Sequence, residues 1–187
     1  LPSTVTSIGN GAFFDCNFIG RLNIPDNVTN IGDMAFWKCD GFTGSLVFPN
    51  NLEKIGEQAF EWCKGFTGDL IIPNSVANIG KGAFNNSEGF YGVLILSSSL
   101  VTIEDWTFDS TNFKDELVIP EGITKVGKSA FSCVFDLKSV QIPQTMKPEN
   151  LSVLHERQEQ SSGLSAADGL HCGSYRCLFF PARLLSV

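Results

Sequence analysis

Three cysteines occupy the same position in successive copies of a sequence repeat, which is described below. We call such a set of equivalent positions a column. Cys16, Cys39 and Cys63 follow one another at intervals of 23 and 24 residues. Cysteines with Cα atoms about 5–6 Å apart can form disulfides, whereas buried reduced thiols pack as small apolar side chains. Because the next two positions of the column hold Ser87 and Thr111, we favour a row of buried, reduced thiols over a disulfide.

Some residues near the C-terminus are of types that bind metal ions, but they are too few to form a site. His171, Cys172 and Cys177 lack the second ligand pair that a zinc site needs. The other histidine, His155, begins a segment without the second histidine of a zinc-protease helix. We therefore expect neither a metal ion nor another cofactor.

A group of carboxylates is the remaining candidate for catalysis. Glu104, Asp105 and Asp109 are close in sequence and could act as general acid and base. A solvated turn explains them better, because nothing in the sequence implies a pocket around them. The repeat region described below contains no histidine to serve as the base for a serine or cysteine nucleophile. The sequence therefore favours a protein that is not an enzyme, with a hydrolase using surface carboxylates as the enzymatic alternative.

The composition excludes several other classes of function. The 187-residue chain has a net charge of −7, and an acidic chain repels phosphate backbones, which disfavours nucleic-acid binding. Apolar residues make up 43% of the chain, which is enough to bury a core. No apolar run approaches the roughly 18 residues of a membrane-spanning helix, so we expect no membrane span.

A repeat of 23 or 24 residues runs through most of the chain. Its first column is an Ala-Phe dipeptide, replaced once by Thr107-Phe108. An Ile or Val, usually followed by Gly, stands four residues before each Ala, and an apolar-x-apolar-Pro segment forms the third column. The phenylalanines of the first column are Phe13, Phe36, Phe60, Phe84, Phe108 and Phe131. Because three columns share one period, the sequence predicts a solenoid of stacked units.

Each unit predicts a succession of short elements. Leu22-Asn23-Ile24 alternates apolar and polar residues, as a short strand with one buried face does, and Pro25 ends it. The segment 28–32 is a second extended piece, closed by a glycine turn. Ala35-Phe36-x-x-Cys39 has the spacing of about one helical turn. The predicted fold class is a curved right-handed repeat solenoid of short parallel strands, turns and short helical turns.

The period covers residues 1–145, as five full units with partial units at both ends. It fails after Pro143, and we expect residues 146–187 to form an aperiodic segment that is disordered or caps the last repeat. Leu1-Pro2 matches the end of an Ile-Pro strand, so the sequence starts in mid-repeat. One interpretation is therefore that the chain is a fragment of a larger antigen.

These motifs resemble those of the BspA-like leucine-rich repeat family, the surface-antigen class of leucine-rich repeats. The best copies are Leu22-Asn23-Ile24-Pro25, Val28-Thr29-Asn30-Ile31-Gly32 and Ala35-Phe36-Trp37-Lys38-Cys39. The unit at 94–116 departs from the pattern, with Ser97 for Pro and Glu104 for Gly. The resemblance implies a secreted or surface-displayed protein, of a kind that often acts in adhesion by binding host or extracellular matrix proteins.

The middle residue of each Leu-x-Ile strand should point away from the core. These candidate binding residues are Asn23, Val47, Ile71, Ile95, Val118 and Gln141. Four consecutive members are apolar and β-branched, so they predict an exposed apolar stripe for partner binding or self-association. The alternative, that β-branched residues occur there only because they favour strands, stays open.

Together these patterns predict a non-enzymatic module that binds proteins, displayed on the cell surface or secreted. No signal peptide is visible in the sequence, so an intracellular leucine-rich repeat scaffold is the second hypothesis. A fragment of a larger surface antigen is the third.

Overall fold

The computed structural model describes residues 1–146, which form a parallel-strand solenoid of about six turns. Ten short strands follow one another along these 146 residues. They are β1 (Ser7–Ile8), β2 (Asn30–Ile31), β3 (Lys54–Ile55), β4 (Leu70–Ile71), β5 (Asn78–Ile79), β6 (Leu94–Ile95), β7 (Thr102–Ile103), β8 (Lys114–Val118), β9 (Lys125–Val126) and β10 (Asp136–Gln141). The predicted repeat solenoid of parallel strands is confirmed. The expectation for 146–187 lies almost entirely outside the described residues.

The strands stack in two columns, one from each predicted extended piece. The Ile-Gly column forms the parallel sheet β1-β2-β3-β5 and the pair β7-β9. The Leu-x-Ile column forms the pairs β4-β6 and β8-β10. At the start of this second column, 22–24 and 46–48 lie outside the strands, and neighbouring coils are joined by bridges from Gly20 to Phe42 and from Gly44 to Phe66.

The segment around each Ala-Phe dipeptide is a run of turns, so the predicted short helical turn is wrong. In one coil, the amides of Phe36 and Lys38 donate to carbonyls of the next coil, Ala59 and Glu61, at 2.8 and 2.7 Å. The amides that alternate with them, of Ala35, Trp37 and Cys39, bond within their own coil instead. A helix would direct all of these amides into its own turn and leave the coils unconnected on this side. Residues 1–146 contain no helix, hence none long and apolar enough to cross a membrane.

Two left-handed residues make each of these turns possible. In the second coil they are Met34 and Lys38, with φ of 53° and 57°. The same two positions recur in every coil from Gly11 to Cys133, and glycine occupies only two of them, Gly11 and Gly82. Since a non-glycine residue costs roughly 1–2 kcal/mol in this conformation, the bonds between coils must compensate for that strain.

Short side chains extend the bonding between coils. The Asn10 carboxamide accepts from the amide of Asp33 at 2.9 Å, and the Asp33 carboxylate accepts from the amide of Glu57 at 2.9 Å. Asp105 does the same for the amide of Lys128 at 2.8 Å. These residues directly follow the Ile-Gly positions of their coils. Wherever this position holds a short acceptor, it adds one hydrogen bond between neighbouring coils.

Stacked phenylalanines fill the core from the second coil onward, while Phe18 of the first coil is 52% exposed. In the first row, neighbouring rings stack with centroids 5.1–5.6 Å apart. The second row, Phe18, Phe42, Phe66, Phe90 and Phe113, has centroids 5.8–6.2 Å apart. Rings of the two rows meet edge to face, a favourable arrangement for aromatic pairs. Each coil buries its apolar face against its neighbours, as the sequence predicts.

The irregular unit at 94–116 interrupts the ladder. A Cβ added at Gly56, Gly80 or Gly127 would lie 2.4–2.5 Å from a backbone nitrogen of the preceding coil. Glu104 occupies the equivalent position, and among the described strands β5 and β7 are not paired. The Ser97 hydroxyl, in place of proline, donates to the buried carbonyl of Val76 at 2.6 Å. A side chain thus replaces part of the bonding that the backbone loses.

Two glycines of one coil test how closely the coils approach. At Gly82 an added Cβ meets nothing nearer than 3.5 Å, so Gly82→Ala should cost only the left-handed penalty, about 1 kcal/mol. At Gly80 it would lie 2.4 Å from the backbone nitrogen of Glu57, which cannot move without breaking the β3-β5 pair. Gly80→Ala should therefore lower the free energy of unfolding by at least twice as much. Urea denaturation measures both, and equal losses would contradict the close approach.

Candidate binding surface

The cysteine column is built into the coil junctions. Cys39 and Cys63 are buried and free, and Cys16 is half-buried and free. The thiols of Cys39 and Cys63 donate to the carbonyls of Phe13 and Phe36 in the preceding coils, at 2.8 and 2.9 Å. Burial raises the pKa of both thiols, which keeps them protonated and poorly nucleophilic. The column supplies donors to buried carbonyls, and its chemistry is structural.

The carboxylates near residue 104 also have structural partners. Glu104 accepts from the Thr102 hydroxyl at 3.0 Å. The amide of Lys128, aided by the ammonium of Lys81 at 3.2 Å, holds the pKa of Asp105 below its usual range. Burial raises the pKa of Asp109. Each carboxylate serves a different neighbour, and residues 1–146 contain no group of three or more potential ligands that could hold a metal ion.

Glu61 is a buried carboxylate that the sequence reasoning missed. It is 7% exposed and accepts from the indole of Trp37 at 3.0 Å and from the carboxamide of Asn85 at 2.9 Å. The Gln58 carboxamide donates to it as well. The phenylalanines of three consecutive repeats are followed directly by Trp37, Glu61 and Asn85. Comparing this one position between neighbouring repeats would have found the group.

The predicted apolar stripe lies at the surface. Val47, Ile71, Ile95 and Val118 are 68, 54, 50 and 48% exposed. Ile71 and Ile95 stand directly opposite each other in the parallel pair β4-β6. Neighbouring strands are about 4.8 Å apart, so the four side chains form one row along the solenoid axis. We call these four residues the stripe.

The ends of the stripe are polar. Asn23 is exposed at one end. Gln141 at the other end is half-buried, lies opposite Val118, and donates its carboxamide to Glu116 at 3.0 Å. Gln141 is thus less available to a partner than Asn23. The stripe itself is confined to four coils.

Acidic side chains border the stripe. Asp69 and Glu116 lie two residues before Ile71 and Val118, a spacing that points side chains to the same face, and both are exposed. Asp69 directly precedes β4, and Glu116 lies within β8. Glu121, also exposed, follows the proline that ends the last of these segments. Farther along β8, Asp115 is paired with Lys138, so their charges cancel. Two exposed cations lie farther away: Lys114 is four residues before Val118, and Arg21 is two residues before Asn23, beside the polar end of the row. The charge directly beside the four apolar residues is therefore negative.

The repeats of this chain match those of a known protein family. The sequence profile of the BspA type Leucine rich repeat region matches residues 1–66 and 41–153, in 6 copies. The chain belongs to the BspA-type leucine-rich repeat family. The predicted resemblance is confirmed, and the match extends a few residues beyond the repeat boundary predicted at 145. Among curated proteins none matches the chain.

Solved structures of bacterial proteins share this BspA-type fold. A leucine-rich repeat protein from Bacteroides ovatus is 28% identical, with a TM-score of 0.53 over 76% of this chain and 48% of its own. A leucine rich cell surface protein from Faecalibacterium prausnitzii is 24% identical, with a TM-score of 0.53 over 83% of this chain and 51% of its own. The Treponema pallidum leucine rich repeat protein is 20% identical, with a TM-score of 0.51 over 80% of this chain and 78% of its own. This BspA-type chain thus spans about half the length of the Bacteroides protein.

Replacing Cys63 by serine tests the buried thiol, because a hydroxyl can also donate there, as Ser87 does to Phe60 at 2.7 Å. Burial raises the thiol's folded-state pKa above its ordinary value of 9.0. The stability it contributes is therefore fully present below about pH 9 and is lost as the pH rises further. We expect the urea midpoint of the unaltered protein to fall more than that of Cys63→Ser between about pH 8 and about pH 10. Equal falls would contradict a buried, protonated thiol.

Proposed function

We propose that this BspA-type chain is a non-enzymatic module that binds host or extracellular matrix proteins through the stripe. The observation that carries the proposal is the row of four half-exposed apolar side chains on successive coils. An exposed apolar row with a polar border is the usual composition of a protein interaction site. Asn23 and Gln141 are proposed as its polar ends.

The family and the fold support a place outside the cell. One protein that shares the fold, from Faecalibacterium prausnitzii, is a leucine rich cell surface protein. We propose that this chain is likewise displayed on the surface or secreted. An intracellular scaffold would use the same stripe for a different set of partners, so location separates these two hypotheses.

The stripe is large enough to contribute to binding. Fully burying an Ile or Val side chain is worth about 1.5–3 kcal/mol, and these residues are already about half buried. Covering the exposed halves would contribute about 1 kcal/mol for each residue. Asp at two of these positions would both remove this gain and place charge in the interface, which is costly to desolvate.

The double variant Ile71→Asp/Ile95→Asp tests the stripe against a matched control, Val101→Asp. Val101 is 56% exposed, apolar and β-branched, but lies outside the stripe. We expect the double variant to weaken binding to immobilised collagen, laminin or fibronectin by at least about tenfold, while the control changes it by less than about twofold. Equal binding by both variants, with the fold intact by circular dichroism, would contradict the proposal. Sedimentation velocity on the same proteins detects any self-association through the stripe.

Antibody labelling of the cells that make the protein tests its location. We expect intact, unpermeabilised cells to be labelled, because the proposed partners lie outside. A cytoplasmic marker supplies the control for membrane integrity. Labelling that requires permeabilisation would reject the surface proposal in favour of the intracellular scaffold.

A further inference from the structure

We infer that the segment seated on the stripe is an amphipathic α-helix with basic flanks, lying along the solenoid axis. This inference rests on the proposed function and specifies the partner of the same surface. It follows from the spacing of the stripe, its length and the charge beside it.

The spacing of the stripe matches a helix. Its residues recur once per coil, about every 4.8 Å. The apolar seam of an amphipathic helix recurs at alternating steps of three and four residues, which at about 1.5 Å per residue is 4.5 or 6 Å. An extended peptide directs side chains to one face only every 6.6–6.8 Å or so, and falls out of step after two coils. Of these two single-segment partners, only the helix can place one apolar residue near each coil.

The length of the stripe sets the length of the helix. Four coils span about 14 Å between the first and last side chains. Helix positions i, i+3, i+7 and i+10 span about 15 Å, or three turns. Asn23 and Gln141 mark where the apolar part of the partner should end.

Strand addition does not suit this face. Ile71 and Ile95 belong to strands that already pair through their backbones, and the stripe is formed by side chains on the face of that pair. A peptide that adds as a strand needs a free sheet edge. The partner must therefore contact the stripe through its own side chains, as a helix does.

The charge beside the stripe specifies the flanks of the helix. Asp69, Glu116 and Glu121 are exposed next to it. Asp69 and Glu116 accept hydrogen bonds from Val93 and Ser139 of neighbouring coils, which fixes their positions. Lysine or arginine beside the apolar seam would complement them, mainly by speeding association and fixing orientation.

Synthetic peptides can test this inference without the natural partner. The probe is a stapled helix with leucine at i, i+3, i+7 and i+10, lysine beside them and alanine elsewhere. One control has the same composition with leucine and lysine alternating, which suits a strand. A second control replaces lysine by glutamate. Fluorescence anisotropy against the full chain measures each affinity.

We expect the stapled helix to bind at least about tenfold more tightly than either control peptide. Ile71→Asp/Ile95→Asp should weaken this binding at least about tenfold, while Val101→Asp leaves it within about twofold. Asp69→Asn/Glu116→Gln keeps both hydrogen-bond acceptors, and should weaken binding a few-fold and flatten its dependence on salt. Equal affinity for the alternating peptide, or binding indifferent to Ile71 and Ile95, would overturn the inference.

Competition separates this inference from the proposed function. If matrix proteins bind through the stripe and the stapled helix displaces them, both stand. If they bind through the stripe but the helix neither binds nor competes, the helical partner is rejected and the proposed function stands. If the helix binds the stripe while matrix proteins ignore it, the helical partner stands and the matrix proposal falls.

Discussion

The structure depends on hydrogen bonding between successive coils. Backbone amides reach the next coil along both strand columns and along the turns beside the Ala-Phe dipeptides. Strand spacing of about 4.8 Å brings the coils near enough for aromatic rings to stack. Neither the hydrogen bonds nor the stacking of the rings suffices alone, since a single coil buries almost no apolar surface of its own. Three features maintain this spacing between coils. They are glycine after the Ile strands, left-handed residues in the turns, and hydroxyl or thiol donors beneath those turns.

The same distance explains the surface. A residue at one position of the repeat must stand beside its equivalent in the next coil, so any property shared by neighbouring repeats becomes a row. Four β-branched residues become the stripe in this way. Glu61 shows the same effect inside the molecule, because an indole and a carboxamide from the two neighbouring coils meet around its buried carboxylate. Rows on the surface and networks inside therefore have the same origin.

Sequence reasoning reached the solenoid because its signal is periodic. Phe36 and Phe60 could be placed in one stack from their spacing alone, and the stack is present. The turn after Gly32 was misjudged because Ala35 and Cys39 have helical spacing, whereas the amides between them are divided between two coils. That division is a contact between residues some 24 positions apart, which a local pattern does not contain. The carboxylates near residue 104 were interpreted as a solvated turn, and their individual partners were visible only in three dimensions.

The replacement of glycine by Glu104 has a mechanical consequence. At the three junctions before it, a pull along the solenoid axis would pass through the turn bonds and the Ile-Gly ladder of β1, β2, β3 and β5. Between Ile79 and Ile103 the Ile-Gly column carries no ladder, so the load passes through the turn bonds, such as that from Phe84 to Thr107, and the β4-β6 pair. The strand column that resists the pull therefore changes at this junction. A molecule stretched between a cell and its surroundings would bend there, because the strand pairs resist the pull on one side of the coil before this junction and on another side at it.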